Sequence, residues 1–407
     1  MSTLPPEPGA KPAIVLSAGT AALGVIRALG RRGIPVVVLY QDRSEVGCVS
    51  RYVREAIQVP RPDQEEKALV DLLLRQAPRL GGGVLMPCAD GFVAAIARNK
   101  PELQQHYRVG CPDWQIARSV LEKSRTYEVA RAAGVATPRT AVLHSLEQAE
   151  HEARTVSLPC LVKPVTGHQY YRLFRKKMVL AESRDELIAA YREAAAAGCA
   201  VMLQEFIPGE DALGVNYNSY FWEGEPLAEF TAAKIRGAPP QIGSPRVVMS
   251  KHIPEVIEPG RRLLRALGYS GFSCTEFKWD ARDGQYKLME VNGRHNLSTW
   301  LAPSCGIDFP FIEYRHLAYG ERPTPCDFED GTYWIDLTRD VAHTLRHWRR
   351  ERYSLARYLE PYLRPHVFAE LDWSDPWPFL QRLISLGPWA GRALRRQVRR
   401  TFGSRLA

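Results

Sequence analysis

Short apolar runs alternate with amphipathic stretches through the first quarter of the chain. Ala13 to Leu16, Pro35 to Tyr40 and Val84 to Pro87 predict buried strands, and Ala21 to Arg32 predicts the helix joining the first two. This alternation implies a parallel sheet of Rossmann type over residues 13–112, after a short disordered leader at 1–12. The texture changes near Trp114. Ser119 to Ala133 predicts a helix closed by Gly134, and Leu158 to Pro164 a short strand. Residues 165–177 read as a polar, basic and aromatic loop. A strand at Met178 to Leu180, a helix from Asp185 to Ala197 capped by Ser183, and a strand from Ala200 to Glu205 follow. Alternation from Ala212 to Ala233 predicts antiparallel strands that turn at Glu223 and Gly224. Two further runs, Gly271 to Trp279 and Gln285 to Arg294, flank Asp283 and Gly284 as a β-hairpin. Arg-rich helical patterns then run from Val341 to Tyr358 and from Gly391 to Phe402, in an extension that begins near residue 323.

Composition narrows the class. With 407 residues, 45% hydrophobic and 24% charged, the chain has the balance of an ordinary globular protein with room for two or three domains. No apolar run approaches the ~18 residues that suggest a membrane span. Cys48, Cys88, Cys111, Cys160, Cys199, Cys274, Cys305 and Cys326 are scattered without a Cys-x-x-Cys pair, which argues against a zinc site or a disulfide framework and predicts a cytoplasmic protein. The net charge of +9 is uneven: residues 341–407 hold 13 Arg, no Lys and 5 acidic residues, leaving +1 for the first 340. A nucleic-acid-binding core is therefore excluded, and any acidic partner meets the tail.

The candidate chemistry sits in the hairpin. A turn centred near Asp283 places Glu276 opposite Glu290 on one face, with Asn292 and Arg294 following at period two. Cross-strand Cβ atoms lie ~5 Å apart, so two glutamates there repel unless a cation intervenes. Two carboxylates and an amide oxygen suit Mg²⁺, which completes its shell with phosphates and water; a solvated pair of surface glutamates is the plainer alternative. Elsewhere, Ser17 to Gly24 occupies the place of a phosphate-binding loop but lacks the full glycine pattern, and Asp42 is the nearest acidic residue to end the second strand. A tight strand-to-helix turn explains that segment as well. Asp90 falls at the carboxyl end of a parallel strand, where ligands gather in such sheets, or caps the helix 91–99.

Taken in order, Lys123, Lys163-Pro164, Gln204 to Gly209, Glu276 and Glu290 to Arg294 resemble the ATP-grasp superfamily over residues 13–320. Within it, Thr231 to Ser244 looks most like the carboxylate–amine ligases of the D-aspartate ligase type. The resemblance implies an α/β Rossmann-like (pre-ATP-grasp) domain, then an α+β ATP-grasp domain at 113–322 with subdomains at about 113–205 and 206–322, then the basic helical extension. It implies ATP and Mg²⁺ or Mn²⁺ as cofactors. Lys123 and Lys163 would reach the phosphates. Gln204, Glu205, Phe206 and Ile207 would form the hinge that contacts adenine, and Glu210 would take the ribose hydroxyls. Glu276, Glu290 and Asn292 would hold the metal, and Arg294 would offset charge on the transferred phosphoryl. The loop 165–177 would be a lid, with Lys176 or Lys177 touching phosphate, although Gly167 is its only glycine. Lys234, Arg236 and Arg246 would bind substrate carboxylate or phosphate.

The implied reaction joins a small carboxylate to an amine through an acyl phosphate, releasing ADP and phosphate. Three other readings stand beside it: a carboxylating or phosphoryl-transferring enzyme of the same fold, a non-catalytic nucleotide-binding module tethered by its tail, and a dehydrogenase resting on the first strand-turn-helix alone. For the tail, Trp, Phe and Leu beside an arginine face fit a peripheral membrane or protein contact, or a plain helical cap with a solvated basic end.

Overall fold

The computed structural model describes residues 9–351 and 353–387. Three sheets organise it. The first has five strands, all parallel, in the order Val53–Gln58, Val36–Tyr40, Ala13–Leu16, Val84–Pro87, Arg108–Val109. Its three inner strands are buried on both faces, which is why they read as unbroken apolar runs. The edge strand Val53–Gln58 alternates half-buried and exposed positions and carries Arg54 and Glu55, so it left no such run to find. Helix Thr20–Gly30 makes the first crossover. Asp90 is the first residue of helix Asp90–Arg98, and Ala89 takes the cap position.

The helix expected over 119–133 is two helices, Trp114–Leu121 and Lys123–Ala132, divided at Glu122, whose backbone is extended. Glu122 holds the break by accepting from Arg118 Nε at 2.6 Å and Arg125 Nε at 2.5 Å. The break makes Lys123 the first residue of its helix.

The second sheet is antiparallel, in the order Thr140–Leu143, Val201–Glu205, Cys160–Pro164, Val179–Ala181. Helices Leu146–Thr155 and Arg184–Ala196 share its core. Ser183 caps the latter, its Oγ accepting from the Glu186 amide at 3.2 Å. The segment 165–177 is no open loop: Gly167–Phe174 is a helix that ends on Arg175 in the left-handed region. Tyr170, buried in the same core, supplies the apolar anchor that turns this polar stretch into a helix.

The third sheet has seven strands: Gln285–Asn292, Gly271–Asp280, Gly214–Trp222, Glu225–Ala238, Ser244–Ser250, Tyr333–Ile335, His366–Phe368. Every pair is antiparallel except the last. The extension expected to be helical therefore donates two strands, anchored by the fully buried Trp334. It also forms helices Leu337–Glu351 and Leu355–Leu363. The helical pattern read over 391–402 lies outside the described residues. Among the described residues no helix is long and apolar enough to cross a membrane.

Candidate active site

The hairpin pairs Glu276 with Glu290 and Cys274 with Asn292. That register is not regular. Asp280 pairs with Gln285 and Phe277 with Leu288, which alone would set Glu276 against Met289; a bulge between Glu276 and Phe277 adds the residue that brings Glu290 across. The two carboxylates then face one cleft, together with Asn216 on the neighbouring strand Gly214–Trp222.

The charged half of the cleft is lined by Asp90, Lys123, Lys163, Lys177, Glu276, Glu290, Asn292, Arg294 and Asn296, around a cavity of about 290 Å³. Lys123 Nζ pairs with Glu290 Oε1 at 2.7 Å. Asn292 Nδ2 donates to Glu276 Oε1 at 3.0 Å. Arg294 pairs with Asp90, which joins the hairpin to the parallel-sheet domain. Lys163 is buried, and its Nζ donates to Gln204 Oε1 at 3.0 Å. Each charge feels the others. Burial and the neighbouring Glu290 push the Glu276 carboxyl above its usual range. Burial acts the same way on Glu290, but Lys123 and Lys163 outweigh it and hold Glu290 below. Burial pushes the Lys163 ammonium down to about 8. Glu290 instead holds Lys123 above its usual value against the effect of burial.

The other half is flanked by apolar groups, Leu161, Met178, Phe206, Ile207, Phe277 and Met289. Lys278 lines it too, donating to the carbonyls of Ile207 at 2.7 Å and Gly209 at 3.4 Å, and so pins the segment beyond Gln204. Burial pushes this ammonium down to about 8. A loop, Gln241 to Pro245, closes the far side. Asp211 secures it, accepting from the amides of Gly237 at 2.9 Å and Gln241 at 2.8 Å, with Lys234 Nζ at 3.3 Å. Gly243 has no room for a side chain: a Cβ would lie 2.0 to 2.3 Å from the backbone of Ala238 and Pro239. Gly243→Ala must therefore displace this loop, and it is expected to lower the thermal midpoint by several degrees in a melting curve.

The structure gathers Lys123, Lys163, Phe206, Ile207, Lys234, Glu276, Glu290, Asn292 and Arg294 on the cleft. Gln204 is wholly buried and touches the cleft through Lys163. Five expected residues point elsewhere. Glu205 alternates away from Gln204 and meets Lys287 and Arg282. Glu210 is exposed and paired with Arg357 at 2.8 Å. Lys176 pairs with Glu193 at 2.7 Å, whereas Lys177, one residue on, enters the cleft and donates to Ser244 Oγ at 2.7 Å. Arg236 and Arg246 do not line the cleft. Both are buried against Asp340, at 2.7 and 2.9 Å, and act between the sheet and the helix Leu337–Glu351. Lys278, Asn216, Asp211 and Asn296 carried no sequence signal; the sheet register brings Asn216 and Lys278 here, while Asp211 comes from a turn before strand Gly214–Trp222 and Asn296 from the loop after the hairpin.

The donor set fits a hard divalent cation. Two carboxylates converge where burial and then their mutual repulsion raise Glu276, and Asn292 would add an amide oxygen once its side chain turns. No cluster of three His, Cys, Asp or Glu occurs among the described residues, so such an ion would share its remaining sites with phosphate and water.

No family model matches the chain. Among curated proteins, it is 27% identical over 246 residues to D-aspartate ligase of Enterococcus faecium, covering 55% of this chain and 56% of that one. It is 28% identical over 217 residues to D-alanine–D-alanine ligase of Ectopseudomonas mendocina, covering 49% and 64%. The match thus spans less than two thirds of either relative. Among solved structures, the biotin carboxylase domain of Hydrogenobacter thermophilus 2-oxoglutarate carboxylase, in complex with MgADP, ADP and bicarbonate, aligns with a TM-score of 0.62 at 21% identity, covering 79% of this chain and 73% of that one. The chain is accordingly a homologue of the D-aspartate and D-alanine–D-alanine ligases and has the ATP-grasp fold.

Proposed function

We propose that the protein is an ATP- and Mg²⁺-dependent carboxylate–amine ligase. The observation that carries this reading is the Glu276–Glu290 pair, which shares a cleft with Lys123, Lys163, Lys177 and Arg294 and continues into an apolar-flanked recess. A carboxylate is a poor electrophile because oxide would have to leave. Transfer of the γ-phosphoryl from ATP to a carboxylate oxygen releases ADP and gives an acyl phosphate. Attack by an amine on that carbonyl then forms the amide, expels phosphate and frees one proton. Such transfer requires positioning and charge neutralisation rather than covalent help.

In this reading Phe206, Ile207 and Met289 would hold the adenine, beside the backbone that Lys278 pins. Lys163 and Lys123 neutralise the phosphates, and Lys177 reaches them from the opposite wall. Glu276, Glu290 and Asn292 would hold Mg²⁺, which when bound would supply further charge to the phosphoryl oxygens. Arg294, fixed by Asp90, would offset charge on the transferred phosphoryl. Helix Gly167–Phe174 shields the acyl phosphate from water; Gly167 and Tyr171 line the charged half. The substrates are a small carboxylate and a small amine.

The test is ATP consumption with Mg²⁺ over pooled amino acids and small carboxylic acids, with the nucleotide product resolved. ADP and phosphate that appear only with particular acid–amine pools support the ligase. ADP formed with bicarbonate alone moves the reading to a carboxylase, and AMP overturns the acyl phosphate.

Lys163 also gives a pH signature. Phosphate favours its charged form, which is present below about 8 in the free site and lost above it. ATP affinity is expected to be level from pH 6 to 7 and to weaken above about pH 8, by at most about tenfold per unit. Lys163→Arg, charged throughout, should flatten the profile read by titration of the affinity.

A further inference from the structure

The helices of the C-terminal extension each expose an apolar stripe. In Leu337–Glu351 the buried positions are Asp340 and Thr344, bonded to Arg246, while Val341, Leu345 and Trp348 face solvent at helical spacing. In Leu355–Leu363 the exposed apolar side chains Leu355, Leu359 and Leu363 again form one stripe, with Ala356, Arg357 and Glu360 exposed beside it, and Tyr358 and Tyr362 turn inward to Arg236 and Asp340. The exposure is large where it counts: 78% for Leu345, 62% for Leu355 and 79% for Leu363. Trp348 packs edge-on to Tyr358, ring centroids 5.7 Å apart, so the two helices abut. The helical turns at 377–387 repeat the pattern with Trp377, Leu380 and Ile384 exposed. Single exposed aliphatics are ordinary on a protein surface; successive helices that each expose an apolar stripe are not.

We infer that this face binds the surface of an anionic membrane. Charge complementarity selects the occupant. The region 341–407 carries +8 against +1 for the rest: +2 over 341–387, and +6 over 388–407, which follows directly in sequence and holds six arginines and no acidic residue. Arg346 and Arg364 are exposed on and just beyond the helices that bear the stripes. Helices of 15 and 9 residues are too short to span, but each can lie in the interface with its stripe among the acyl chains, while the arginines of the region meet the headgroups. A protein partner or a second copy would satisfy the apolar stripe without calling for the excess positive charge. The inference does not depend on the ligase reading.

Co-sedimentation of the full chain with vesicles of phosphatidylcholine alone, and with phosphatidylglycerol added, tests it. Binding is expected only to the anionic vesicles, weakening with salt. The variant Leu345→Glu with Leu355→Glu and Leu363→Glu should lower the partition coefficient about tenfold or more, with an unchanged circular dichroism spectrum and melting curve, since all three side chains are exposed. Failure to sediment with anionic vesicles overturns the inference. So does binding that the triple variant leaves intact, which would assign the attraction to arginine alone. A light-scattering mass of a dimer that the triple variant reduces to a monomer, without lipid binding, would instead assign the face to a second copy.

Discussion

Glu290→Gln is expected to reduce ATP turnover about 10³-fold and to leave the protein folded. The substitution changes no volume and removes one charge. That charge does two things in the cleft. It pairs with Lys123 at 2.7 Å, and it stands across the hairpin from Glu276 as half of the candidate cation site. With a neutral amide there, a divalent ion keeps one carboxylate, Lys123 loses the anion that positions it, and Lys163 and Lys177 lose a neighbouring opposite charge. Stability should change little because two effects oppose each other. Lys123 loses its partner, but Glu276 is relieved of the repulsion that raises its carboxyl. The measurement is kcat for ADP release alongside a thermal melt, with Mg²⁺ varied. The Mg²⁺ concentration needed for residual turnover should rise. Turnover within tenfold of the parent, at equal Mg²⁺, would sink the assignment of the hairpin as the phosphoryl-transfer site.

Much of this site was legible in the sequence because a hairpin is local. Period-two spacing, a turn at Asp283 and Gly284, and two glutamates placed symmetrically about it suffice to bring Glu276 and Glu290 together. The bulge was not legible. The turn is centred half a residue earlier than Asp283, and the extra residue restores the expected pair. Lys176 and Lys177 show the opposite case. Both are basic and adjacent, and only the chain's direction after helix Gly167–Phe174 decides which enters the cleft. Gln204 and Glu205 differ for the same reason, since neighbouring strand residues face opposite sides. Arg236 and Arg246 were misplaced because their partner Asp340 lies 104 and 94 positions away, in a segment whose similarity to any pattern had faded. A buried arginine and a substrate-binding arginine look alike until the acid that meets it is known. The strands Tyr333–Ile335 and His366–Phe368 are three residues each, too short for alternation to register.

That same distant acid sets the second large effect. Asp340→Ala is expected to destabilise the protein by about 3–5 kcal/mol, because it leaves buried charge uncompensated. Asp340 is fully buried, as is Arg246, and Arg236 is nearly so. Its Oδ2 accepts from Arg236 Nη1 at 2.7 Å and from Tyr362 Oη at 2.6 Å, and its Oδ1 accepts from Arg246 Nη1 at 2.9 Å. One carboxylate therefore ties two sheet strands to both helices of the extension. Arg246 retains Glu351 and the Gly237 carbonyl, but Arg236 keeps only the Tyr358 carbonyl and the faces of Tyr353 and Tyr358. Its guanidinium must then rehydrate or drag the helix Leu355–Leu363 from the sheet. Removing Arg236 as well should recover part of the loss, since Asp340→Ala with Arg236→Met removes both charges from the interior. Urea unfolding midpoints of the two single variants and the double variant give this coupling directly. A loss below about 1 kcal/mol for Asp340→Ala would mean that water already reaches the pair and that the extension is an appendage. A large loss with partial recovery would mean that the extension is part of the fold. Because Arg246 Nε also holds the Gly237 carbonyl at 3.0 Å, the destabilised variant should bind ATP more weakly too, through the loop that follows Gly237 and closes the cleft.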